Sequence, residues 1–211
     1  MNKLKPANLS YGIVIIPTEP IFSIISDASL KITENHKNYN IIDNKIFPTH
    51  LSIILTGTNR EYSNIIFKKL QKTTSEYKCI SLTASEVYLG KRGYIGVKFN
   101  DSPELKKLCH KIISVCASFH QKYQVFRPHI IKRWNTLQEN EKELIIKYGT
   151  YHIFDKIDFH LSVAMVDNID QDECFKIAKN MISVPQTFKI DKFQFVDMGH
   201  KNEKWEVLYE W

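Results

Sequence analysis

The sequence has 211 residues, 43% of them hydrophobic and 25% charged, which is typical of a single globular domain. Its apolar runs are too short to span a membrane and no signal peptide is apparent, so we expect a cytoplasmic protein with no membrane partner. The net charge of +6 favours an anionic partner such as a nucleotide or RNA, and the four scattered cysteines favour free thiols over a zinc site.

Apolar periodicity and capping residues predict secondary structure along the chain. The first half predicts a strand at 11–17, a helix at 19–33, a polar loop at 34–44, a strand after His50, a helix at 60–71, and strands at 78–89 and 94–99. Ser102 and Pro103 begin a helix that extends to about residue 121.

The rest of the chain begins with a less regular segment, residues 124–157. This segment contains a helix at 139–148 that ends at Gly149, and we expect it to cover one side of a groove. A strand after His160, a helix at 171–182, and strands at 187–196 and 205–209 follow.

Two short motifs are nearly identical. His50-Leu51-Ser52 and His160-Leu161-Ser162 each lead into an apolar, β-branched stretch, and side chains alternate along a strand. The histidine and serine of each motif therefore share one strand face. If the two strands lie together, two imidazoles and two hydroxyls converge on one point.

Each motif is followed by the same order of elements: strand, helix, strand, strand. Gly90 and Gly199 close the second strand of each series at nearly equal distances from their histidines. We interpret this as an internal duplication within one two-lobed domain spanning 1–211, with repeats at about 47–100 and 158–211.

The four motif residues suit the opening of a cyclic phosphodiester by water. One histidine would take a proton from water, the other would supply one to the leaving alkoxide, and the serines would hold the phosphoryl oxygens. The sequence leaves open which histidine is base and which is acid. Among the other histidines, His129 and His152 are the best placed to line such a site.

The two motifs and their sequels are similar to those that define the 2H phosphoesterase superfamily, which includes the LigT-like RNA ligases and cyclic phosphodiesterases. The resemblance implies an α+β fold in which two antiparallel sheets, flanked by helices, form a central groove. It also implies that His50 and His160 are the catalytic acid–base pair, that Ser52 and Ser162 bind the phosphate, and that no metal or cofactor is needed.

The implied substrate is a cyclic phosphodiester: a 2′,3′-cyclic nucleotide or RNA end, a ribosyl cyclic phosphate, or a 2′,5′-linked or cyclic signalling nucleotide. The stretch 148–162 is similar to a branch encoded near phosphonate-degradation genes, which favours the ribosyl compound. Ala164 and Met165 stand where RNA-ligase-like members often carry an arginine. Further candidates for contacting a base or phosphate are Tyr151, Arg92 and Tyr94.

Two other functions remain open. The same groove could hold RNA or a nucleotide without turning it over, although lysine or arginine would bind phosphate better than two histidines at neutral pH. Alternatively, His50 and His160 could be metal ligands, but Asp158 is the lone carboxylate near either motif.

Overall fold

The computed structural model describes residues 4–43, 47–77, 80–153, 159–198 and 205–211. Within these ranges the strands are β1 (Lys5–Pro6), β2 (Leu9–Pro17), β3 (Leu51–Thr58), β4 (Ile80–Leu89), β5 (Tyr94–Phe99), β6 (Val125–Phe126), β7 (His160–Met165), β8 (Gln186–Asp197) and β9 (Glu206–Glu210). The helices are α1 (Ile21–Thr33), α2 (Ser63–Thr74), α3 (Pro103–Tyr123), α4 (Pro128–Arg133), α5 (Glu139–Tyr148) and α6 (Gln171–Met181).

The elements predicted from periodicity are confirmed, with shifted ends. Residues 60–62 form a short 3-10 turn before α2, so the predicted helix at 60–71 begins and ends three residues later. The small elements β1, β6 and α4 were not predicted. Gly199, the predicted end of a strand, lies outside the described residues.

Seven strands form one large antiparallel sheet in the order β2-β3-β7-β5-β4-β8-β9. Strand β2 also pairs with β8, between Tyr11↔Asp197 and Pro17↔Ile190, so the sheet curls back on itself. The predicted α+β class with antiparallel strands and flanking helices is confirmed. The two predicted sheets are joined into one, because β3 and β7 meet at the Leu51↔Leu161 pair.

The strands that follow each motif strand in sequence pair beside the other motif strand. Strands β4 and β5, which follow β3 in sequence, are joined to β7, whereas β8 and β9, which follow β7, are joined to β2 beside β3. Helices α1 and α6 pack over β7, β5 and β4, and α3 packs over β3 with α2 alongside. Both motif strands therefore lie in the middle of the sheet, where packing holds them rigidly.

Helix α3 shows how the sequence builds the core under β3. The Ser102 hydroxyl accepts a hydrogen bond from the Leu105 amide at 3.2 Å, which caps the first turn as predicted. Leu105, Leu108 and Ile112 are fully buried at helical spacing against the sheet. Among the described residues, none of the helices combines the length and apolar character that crossing a bilayer requires.

The segment after α3 covers one side of a groove, as predicted. Strand β6 pairs with β1, and Phe126 packs with Ile130, Leu137 and Ile145 in a small separate core. Helix α5 then ends at Gly149, whose φ of +80° is left-handed. A side chain there would also meet the Thr56 hydroxyl at 2.1 Å, so glycine is required at this close approach.

Candidate active site

The two His-x-Ser motifs meet where β3 and β7 overlap. The antiparallel register pairs Leu51 with Leu161, so His50 lies beside Ser162 and Ser52 beside His160 across the strands. Leu51 and Leu161 are fully buried in the core on one face of the sheet. Alternation along each strand directs the four polar residues to the opposite face.

A β-bulge adjusts β3 just after its motif. Val14 pairs with Ser52 and Ile13 with Ile54, so Ile53 is an extra residue in β3. Ile53 and Ile54 are both 2% exposed, whereas Ser52 and Leu55 are half-buried. Ser52 and Leu55 border one groove.

His50 is enclosed by aromatic rings and held in one tautomer. Its ring centroid lies 4.3 Å from that of Trp205 and 5.2 Å from that of Phe47, and the residue is 8% exposed. Its Nδ1 donates a hydrogen bond to the Pro48 carbonyl at 2.9 Å, because a carbonyl can only accept. Nε2 therefore carries the lone pair in the neutral ring.

Burial sets the charge of His50. Desolvation lowers the pKa of His50 from 6.5 to about 4; the bond to Pro48 opposes this shift, and the charge of His160 adds to it. His50 is therefore neutral at physiological pH and can accept a proton at Nε2. The influence of His160 on the pKa of His50 also reflects how near the two imidazoles are.

Ser162 and His160 both contact Tyr94 on the neighbouring strand. The Tyr94 hydroxyl and Ser162 Oγ are hydrogen-bonded at 2.8 Å, and the Tyr94 ring meets the His160 ring edge-on at 5.5 Å. Gly96, which pairs with Ser162, makes room for this ring: a Cβ there would lie 3.0 Å from Tyr94 Cε1. Tyr94 thus contacts both the histidine and the serine of the second motif and positions them.

A groove of about 520 Å³ adjoins the motifs. It is lined by Ser52, Ile53, Ile54, Leu55, Arg127, His129, Ile130, Arg133, Thr150, Tyr151, His152 and His160. The floor therefore comes from β3 and β7, and the wall from α4 and the residues after α5. This shape and mixed lining are typical of a small-ligand site.

Some of the residues suggested as substrate contacts lie at the groove and one does not. Tyr151 lines the groove, as do His129 and His152, while Tyr94 adjoins it through Ser162 and His160. Arg92 is exposed in the turn between β4 and β5, with a φ of +60°, and is not among the groove-lining residues.

Sequence reasoning missed four residues near the motifs. Arg127 precedes α4 and Arg133 ends it, and this helix was not predicted. Phe47 packs on His50 from just before the first motif, whereas Trp205 reaches it from just before β9. The pair Arg127-Pro128 carried one usable signal, because proline is favoured at the first position of a helix.

Metal ligands are not clustered in the described part of the chain. No three His, Cys, Asp or Glu side chains there stand close enough to hold an ion. Asp158, the carboxylate considered for such a site, lies outside the described residues. A second cleft, of about 500 Å³ between α2 and α3, is lined by Lys72, Lys107 and Lys111 among others and by none of the motif residues.

Solved structures share this architecture, although the sequence itself matches neither a protein-family model nor a curated protein. TT0787 of Thermus thermophilus is similar with a TM-score of 0.57 at 12% identity, covering 96% of this chain and 97% of the other. LigT of E. coli, solved in complex with NADP+, is similar with a TM-score of 0.53 at 11% identity, covering 98% and 97%. A structure described as a phosphoesterase has a TM-score of 0.52 at 10% identity, covering 96% and 97%. These matches confirm the resemblance to LigT-like phosphoesterases at the level of the fold.

Proposed function

We propose that the chain is a phosphodiesterase that opens a cyclic phosphodiester without a metal ion. The observation that supports this most is the Leu51↔Leu161 register, which sets two histidines and two serines on one face of the sheet. Ser52 and His160 line the groove, and His50 and Ser162 lie beside them on the paired strands. Two imidazoles on opposite sides of a phosphorus atom provide a base and an acid, and fixed strands keep them in place.

His50 is the base in this proposal. Its pKa of about 4 leaves Nε2 without a proton at neutral pH, so His50 can accept a proton but has none to donate from that atom. Water would lose a proton to Nε2 as its oxygen bonds to phosphorus. After turnover that proton returns to solvent, which restores the neutral His50 ring.

His160 is then the acid that protonates the departing ribose oxygen as the phosphorus–oxygen bond breaks. Ser52 and Ser162 would donate hydrogen bonds to the phosphoryl oxygens as negative charge builds there. The Tyr94 hydroxyl bonded to Ser162 supports this role, because it fixes the direction of that serine. Cyclic substrates of this type are the 2′,3′-cyclic nucleotides or RNA ends, ribosyl cyclic phosphates and cyclic signalling nucleotides implied by the resemblance. A 2′,5′-linked nucleotide is an open diester that the same acid and base would hydrolyse.

The test is a hydrolysis assay in excess EDTA with a 2′,3′-cyclic nucleotide, an ADP-ribose cyclic phosphate and a 2′,5′-linked dinucleotide. We expect wild-type turnover of at least one compound and a loss of roughly 10²- to 10⁴-fold in kcat for His50→Ala and for His160→Ala. His110→Ala, on the exposed surface of α3, is the matched control and should keep full activity.

Turnover that survives both substitutions would refute the proposal. If the folded protein turned over none of the compounds but bound RNA in a salt-sensitive manner, even without both histidines, it would instead be a binding module.

A further inference from the structure

The wall of the groove carries a cluster of basic residues that the His-x-Ser chemistry does not use. Arg127, His129 and Arg133, here called the α4 cluster, all line the groove. Arg127 lies over Gly57 near the end of β3: a Cβ on Gly57 would be 3.1 Å from the Arg127 amide nitrogen and 3.3 Å from its Cγ. Arg127 is therefore held five residues along β3 from Ser52.

The backbone under this cluster is fixed. Pro6 pairs with Phe126, and the Ala7 amide donates to the Phe126 carbonyl at 2.8 Å, directly before Arg127. Ile130, between the two arginines, is 4% exposed in the small core with Phe126. The guanidinium of Arg127 is consequently presented from a rigid support rather than from a loose loop.

The charge of the α4 cluster is not neutralised within the described residues. Arg127 Nε is buried and has no hydrogen-bond partner there, and no acidic side chain is among the groove-lining residues. Desolvation lowers the pKa of Arg127 below its usual value, yet a guanidinium stays charged in proteins.

The clustering of positive charge also affects the neighbouring histidine. Local desolvation, followed by the charges of Arg127 and Arg133, lowers the pKa of His129 to about 4. His129 is therefore neutral at physiological pH and adds no third charge. A buried, unpaired donor of a charged group is costly, and an anion in the groove would remove that cost.

We propose that the α4 cluster binds a second, non-reacting phosphate of the substrate, so that the preferred compound carries a terminal phosphomonoester besides the reacting diester. The inference rests on the proposed function, because it takes the two motifs as the reacting end. From Ser52 to Gly57 the strand spans at most roughly 17 Å at about 3.3 Å per residue, which gives the scale of the distance between Ser52 and the backbone of Arg127. A bidentate arginine suits a phosphomonoester better than a lysine would.

The experiment compares two ligands that differ by one phosphate. Calorimetry gives the Kd of adenosine 3′-monophosphate and of adenosine 3′,5′-bisphosphate for wild type, Arg127→Gln, Arg133→Gln and Lys132→Gln. Lys132 is exposed on α4 and does not line the groove, so its substitution removes an equal charge from the same helix without touching the cluster.

We expect wild type to bind the bisphosphate about 10- to 100-fold more tightly than the monophosphate, the range for charged hydrogen bonds. Arg127→Gln should abolish most of that preference, Arg133→Gln should reduce it, and Lys132→Gln should keep it. Equal affinities in wild type, or a preference that survives Arg127→Gln, would overturn the inference.

Turnover separates this inference from the proposed function. The second assay offers adenosine 2′,3′-cyclic phosphate, with and without a 5′-phosphate, to wild type and to Arg127→Gln and measures kcat/KM for each compound. If the bisphosphate preference in binding holds while neither compound is hydrolysed, the proposed function fails but the second phosphate site stands. If both are hydrolysed with equal kcat/KM, the site is refuted while the phosphodiesterase remains.

Discussion

Removing the indole that covers His50 should raise the pKa of that histidine. Trp205 is 5% exposed and lies 4.3 Å from the His50 ring, so Trp205→Ala admits water to the imidazole. The difference between 6.5 and about 4 corresponds to about 3 kcal/mol in favour of the neutral ring. Phe47 still covers another side of the ring, so we expect the His50 pKa to rise in the variant but to stay below 6.5.

The assay is an NMR titration of the imidazoles in labelled protein, with His50 assigned by its loss in His50→Gln. Trp211→Ala is the control, because Trp211 packs on Phe67 and Phe193 and donates to Thr74, away from His50. The acid limb of kcat/KM should move upward with the His50 pKa in Trp205→Ala alone. A wild-type His50 that titrates above pH 6, or one unaffected by loss of Trp205, would refute the reasoning.

Three further outcomes are expected. Tyr94→Phe removes the hydroxyl bonded to Ser162 and should lower kcat/KM by about 3- to 10-fold with little change in Tm. Gly149→Ala places a methyl at φ +80° against the Thr56 hydroxyl and should lower the free energy of unfolding, measured in urea, by at least about 2 kcal/mol. Because the His50 pKa is lower in the folded protein than unfolded, its contribution to stability is complete above pH 6.5 and is lost as pH falls to about 4; His50→Gln should therefore flatten the unfolding free energy over that window.

Each of these outcomes has a matched control. Tyr209→Phe also deletes a tyrosine–serine contact, at 3.5 Å to Ser63, and should leave kcat/KM unchanged. Gly90→Ala, whose nearest contact would be 3.3 Å without positive φ, should cost clearly less than Gly149→Ala. His110→Gln should retain the pH slope that His50→Gln reduces. If a variant and its control gave the same kcat/KM, unfolding free energy or pH slope, the argument for that variant would be contradicted.

The local elements of this fold were predictable because their signals are local. The β-branched residues after each motif predicted β3 and β7, and the Ser102-Pro103 pair marked the start of α3. Alternation then placed histidine and serine on a common face, because that argument needs only the strand itself. The bulge at Ile53 falls after Ser52, so it did not disturb that part of the prediction.

What sequence could not supply were contacts between distant segments. Burial of His50 depends on Trp205, and the resulting low pKa favours His50 over His160 as the base, a choice that neither motif encodes by itself. The α4 cluster escaped prediction for a related reason. A six-residue helix is too short for a periodic signal, and it is positioned by the β1–β6 pairing.

The pairing of β2 with β8 determines when this molecule can complete its sheet during synthesis. The ribosome releases β2 early and β8 late, so at a rate of roughly 5–20 residues per second β2 waits for about 10–30 s with one edge unpaired. His50 waits as well, because Trp205 follows β8 in the chain. Contacts of such wide sequence separation also slow folding. The nascent chain therefore exposes an unpaired sheet edge while the His50 imidazole is still hydrated, and it should depend on chaperone protection during synthesis more than a protein built from local contacts.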